Sequence, residues 1–129
     1  MKPLAQEWVD KAEGDHRAAC ALVQSADPVW DAICFHAQQC AEKYLKAWLT
    51  EQQASFPRTH DLDMLGKLSR PSLGGLEHLA DGLRLLTSFG TEVRYPGIEA
   101  RQDDAHTCLA VSCGVRQLVR QALGLRESG

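Results

Sequence analysis

Arg101 and His106 frame the stretch Arg101-Gln-Asp-Asp-Ala-His106, an Arg-x-x-x-x-His pattern. Metal-free cleavage of RNA needs a base for the 2′-hydroxyl, an acid for the leaving oxygen and a cation for the phosphate. A histidine near its ordinary pKa can take or give the proton. An arginine can hold the phosphate and balance charge in the transition state. Asp103 and Asp104 lie between the two and would repel phosphate. Carboxylates also suit the first turn of a helix, so the same stretch reads as a loop feeding a helix.

His60 lies in Thr59-His60-Asp61-Leu62. Thr59 or Asp61 can cap a helix there. Alternatively, the free amides of that helix end bind an anion with His60 beside it. Arg94 precedes Tyr95-Pro96-Gly97, where proline holds Tyr95 extended and glycine permits a positive φ. Its guanidinium suits either backbone carbonyls or a phosphate. His36 reads as a half-buried, satisfied histidine, and His16 and His78 as surface residues. The five cysteines include no Cys-x-x-Cys and read as small buried thiols, not as a disulfide frame or a zinc site. Glycine-rich phosphate loops, paired metal-binding carboxylates and nucleophile elbows are lacking, so no metal and no cofactor is expected.

Helices must position these groups. Leu4, Trp8, Ala12, Ala19, Leu22 and Val23 recur at helical spacing until Asp27-Pro28 breaks the pattern. From about Pro28 to Gln52 apolar residues cover a wide arc, which predicts a central helix. Glu42 and Lys46 stand in the favourable order for an intrahelical pair. A short helix follows through Met64, Leu65 and Leu68. Another stripe runs from Leu73 to Leu86, with Gly90 as its stop. A last helix runs from Asp103 to about Leu123. The pattern predicts an all-α, up-and-down antiparallel bundle of four long helices and one short helix.

The chain of 129 residues is 44% hydrophobic and 24% charged, with a formal net charge of −3. That suits a single helical domain over 1–129 with its core at about 4–123. The charge argues against a general nucleic-acid binder and leaves room for a local basic patch. With no membrane-length apolar run and no signal-peptide pattern, a cytoplasmic location is expected.

Four segments together resemble HEPN domains, the higher-eukaryote and prokaryote nucleotide-binding helical bundles. They are Trp8–Ala21 (WVDKAEGDHRAACA), Phe35–Ala47 (FHAQQCAEKYLKA), Thr59-His60-Asp61-Leu62 and Val93-Arg94-Tyr95-Pro96-Gly97, in the family's order and spacing. The resemblance implies a bundle that is commonly a homodimer, with nucleotide or RNA bound in a cleft. It also implies a neighbouring minimal nucleotidyltransferase, often in a toxin–antitoxin module. In the ribonuclease branch an arginine is followed by four to six residues and a histidine, and two copies meet at the dimer interface. Arg101 and His106 meet that spacing. The alternative is thus a metal-independent endoribonuclease toxin. Some toxins also carry a modified tyrosine two positions after the histidine, where this chain has Cys108. The Arg-Tyr-Pro branch resembles the nucleotide-binding type. That carries Arg94, His60, Lys43 and Tyr95 over as ligand residues. A non-catalytic interaction subunit is the third reading.

Overall fold

A computed structural model describes residues 1–92 and 95–126. Its elements are α1 (Pro3–Val23), α2 (Trp30–Glu51), α3 (Leu62–Ser69), a 3-10 turn (Leu76–Leu79), α4 (Ala80–Glu92) and α5 (Gln102–Ala122). Among the described residues there is no strand, and no helix is long and apolar enough to cross a membrane. The number and type of the helices are those the apolar spacing predicts, but the stripe expected from Leu73 begins as a turn and a 3-10 turn, and α4 starts at Ala80.

α2 is the hub: it packs against α1, α3, α4 and α5. Its wide apolar arc demands this, and Ile33, Ala37, Ala41, Tyr44 and Leu45 are fully buried. Tyr44 and Trp48 both fit the core, while Trp30 and Phe89 pack half-buried at its rim.

Three expectations shift. The buried stripe of α1 is Ala5, Val9, Ala12 and Ala19, one position round from the one predicted at its start. Leu4 is therefore left exposed and Trp8 half-buried. Gly90 does not stop α4, which continues to Glu92. It sits instead where α2 comes closest, since a Cβ there would lie 2.2 Å from the Cγ of Gln38. His16 is half-buried, not superficial, and its ring lies against the Cys20 thiol at 3.7 Å.

α2 ends on a Schellman motif. The Ala54 amide donates to Leu49 at 2.9 Å and the Gln53 amide to Thr50 at 3.0 Å. Gln53 takes the left-handed position at φ 56°. The same motif closes α5, with Gly124 in that position at φ 72°. This turn launches the segment 54–61 towards α3, where the Asp61 carboxylate caps the amides of Asp63 and Met64.

Candidate functional site

Segment 54–61 and the faces of α1 and α2 enclose a cavity of about 480 Å³. Its lining is Trp8 from α1, Lys46 from α2, and Phe56, Arg58, Thr59 and His60 from the segment. Each arrives for a local reason. Trp8 is the residue displaced from the buried stripe of α1. Lys46 lies one turn beyond Glu42. Phe56 packs against the core and so anchors the segment. The Thr59 hydroxyl accepts from the Asp61 amide at 3.0 Å, which turns the chain into α3. Leu4, Glu7 and Lys11 continue the cavity past Trp8 as a shallow, mainly apolar depression.

Behind the wall is a buried carboxylate. The Glu42 side chain is 4% exposed, yet both of its oxygens are paired. Its Oε1 accepts from Gln38 Nε2 at 3.1 Å and pairs with His60 Nδ1 at 2.8 Å. Its Oε2 accepts from Lys46 Nζ at 2.9 Å. Burial resists ionisation of Glu42, but the bonds from Lys46, His60 and Gln38 outweigh it and hold the carboxyl below its ordinary pKa. Gln38 also donates to the His60 carbonyl at 3.1 Å, so α2 grips both ends of that residue. Lys46 lies 5.4 Å from the centre of the Trp8 ring, over its face.

The residues singled out from sequence are dispersed. His60 lines the cavity, with its side chain 64% exposed. Lys43 faces α1 instead, its ammonium 2.5 Å from Asp15, whose other oxygen pairs with His36 Nδ1 at 2.9 Å. Tyr95 is exposed in the turn before α5 and does not line the cavity. Arg94 lies outside the described residues. Arg101 is the N-cap of α5, exposed, with its amide donating to Asp104 at 2.9 Å. His106 is exposed and sets its ring edge-on against Trp30, centroids 6.0 Å apart. Asp103 and Asp104 occupy the first turn as expected.

Trp8, Lys46, Phe56 and Arg58 were not singled out from the sequence as site residues. Trp8 reads there as part of an apolar stripe and Lys46 as half of an ion pair. A phenylalanine and an arginine flanking Pro57 in a loop were the only available signal. Among the described residues no group of three or more histidine, cysteine or acidic side chains could hold a metal.

The model of the HEPN domain matches residues 5–122. The chain belongs to the HEPN family. The crystal structure of ST0689, an archaeal HEPN homologue, is similar to this HEPN chain with a TM-score of 0.73 at 24% identity. The likeness covers 95% of this chain and 99% of that one, and it supports the fold. Among curated proteins none matches this HEPN sequence.

Proposed function

We propose that this HEPN protein binds a nucleotide, or one nucleotide unit of an RNA, in the cavity between α1, α2 and segment 54–61. The observation that carries this reading is the lining. Two aromatic side chains, Trp8 and Phe56, share one opening with the basic side chains of Lys46, Arg58 and His60. A base offers a flat π-face and its phosphate a charge, and aromatic and cationic groups at one site match both. A cavity of about 480 Å³ also falls within the usual range for small-molecule sites. Arg58 is exposed and meets the phosphate from the rim. Arg94 keeps its proposed grip on phosphate. Lys43, committed to Asp15, acts on the packing of α1 against α2. As the family resemblance implies, the protein forms a homodimer and works beside a minimal nucleotidyltransferase, in a toxin–antitoxin module.

Thermal unfolding with and without millimolar ATP tests the binding. Wild type should gain several degrees. Arg58→Ala should lose that gain while its own stability without ligand stays within about 0.5 kcal/mol of wild type, as for most surface substitutions. An undiminished gain in Arg58→Ala would remove this cavity as the site.

The ribonuclease reading rests on the exposure of both Arg101 and His106 at the start of α5. RNA incubated with the purified protein in chelator decides it. Ends carrying 2′,3′-cyclic phosphate from wild type, absent from His106→Ala, would place chemistry at α5.

A further inference from the structure

The nitrogen atoms of His60 have unequal surroundings. Nδ1 is 2.8 Å from Oε1 of Glu42, a carboxylate held ionised by three partners. An ionised carboxylate only accepts, so Nδ1 carries a hydrogen in both protonation states of the ring. Nε2, at the other side of the ring, hydrogen-bonds to no described residue, and the ring lines the cavity. In the neutral ring Nε2 is therefore a lone pair and repels a phosphate oxygen. In the protonated ring it is an N–H donor carrying charge and attracts one.

The other charged groups around His60 do not change with its tautomer. From α2, Lys46 is tied to Oε2 of Glu42 at 2.9 Å and lies over the Trp8 ring, so its ammonium is held in place. From α3, the Asp61 carboxylate is turned to the amides of Asp63 and Met64. α1 brings Trp8, with Glu7 and Lys11 beyond it, and segment 54–61 brings Arg58, which meets the phosphate from the exposed rim whatever the tautomer of His60.

Building on the cavity reading above, we infer that Glu42 is a positioning residue that fixes the His60 tautomer, so that the site takes up one proton with each phosphate it captures. Glu42 touches no ligand. It acts by denying His60 the tautomer that would offer an N–H to the cavity without protonation. The bound nucleotide is thus selected through its phosphate, and a neutral nucleoside gains nothing from the proton.

The test is the affinity of the full chain for a fluorescent adenine dinucleotide from about pH 5.5 to about pH 8.5, across the range where imidazoles titrate. A phosphodiester is the right probe because a phosphomonoester itself titrates near about pH 6. Wild-type affinity should fall with rising pH, approaching about tenfold per pH unit at the alkaline end. His60→Gln, whose amide can donate at any pH, should bind with a flat profile. Glu42→Gln should make the fall shallower, because a carboxamide can donate to Nδ1 as well as accept from it and so leaves the neutral ring free to carry its hydrogen on Nε2. A purely structural role for Glu42 would instead lower affinity equally at every pH. If Glu42→Gln does not fold, the His60→Gln profile decides alone. A flat wild-type profile with measurable binding would overturn the proton linkage and leave the cavity reading standing. No binding at any pH would overturn both.

Discussion

Glu13 is the residue on which three helices converge. Arg116 of α5 meets it in two parallel bonds of 2.7 and 2.9 Å. The Tyr44 hydroxyl of α2 donates to the same carboxylate, and Arg120 donates to that hydroxyl at 3.2 Å. The bond from Arg116 is the largest influence on Glu13; burial opposes it, and the remaining partners add to it. Together they bring the carboxyl from 4.5 down to about 2. A group lowered in the folded state contributes stability that is complete above its unfolded pKa and disappears as pH falls through the folded one. Denaturant midpoints should therefore drop between about pH 4.5 and about pH 2, and Glu13→Gln should flatten that part of the curve. A mutant with the same acid limb as wild type would dismiss the network as a source of stability. Glu42 is the residue the sequence half reveals. Its bond to Lys46 follows from a spacing of four. Its bond to His60 spans 18 positions, and no local pattern encodes that.

At the scale of elements, two junctions invite opposite substitutions. Gln53 ends α2 in a left-handed conformation that glycine adopts freely, as Gly124 does at the end of α5. Gln53→Gly should therefore stabilise the protein by about 1 kcal/mol in urea unfolding, and a loss of stability would contradict the strain assigned to that turn. Gly90→Ala should do the reverse. The added Cβ would meet both Cγ and Cβ of Gln38, at 2.2 and 2.5 Å, and the second of these cannot swing aside. The expected loss is about 1–3 kcal/mol, and an unchanged midpoint would mean that α4 and α2 can part at little cost. Helix type and number were legible because each helix carries a clear stripe. The role of Gly90 was not, because a glycine after an apolar run looks alike as a stop and as a contact. In Thr59-His60-Asp61-Leu62 the capping reading holds: Asp61 takes the amides of Asp63 and Met64 that an anion would need, and His60 turns to the cavity on its own.

For the molecule as a whole, a net charge of −3 sits beside a cavity whose charged and titratable side chains are basic. Such a protein should hold one or two phosphates locally and repel the rest of a polyanion. Binding of a short oligonucleotide should fall with salt along a log–log slope of about −0.7 to −1.4, set by one or two phosphates on a single strand. A slope several times steeper would show that a wider basic face takes part. The all-helical bundle was legible in the sequence, whereas the cavity was not, because its walls come from positions 8, 46 and 56–60, which only folding brings together.

Glu42, Lys43 and Tyr44 are neighbours on one turn of α2, and each holds a different part of the protein: His60, Asp15 and Glu13. That turn has almost no freedom to diverge, since a change at Glu42 loosens the seam to segment 54–61 and a change at Lys43 or Tyr44 the seam to α1. Phe56 and Arg58, on the opposite wall, sit in an irregular segment with a much smaller share of the fold. Descendants of this chain could therefore acquire new ligand preferences by rewriting the segment while the helix stays fixed. The cavity has one conservative wall and one permissive wall, and its evolutionary history should be written on the second.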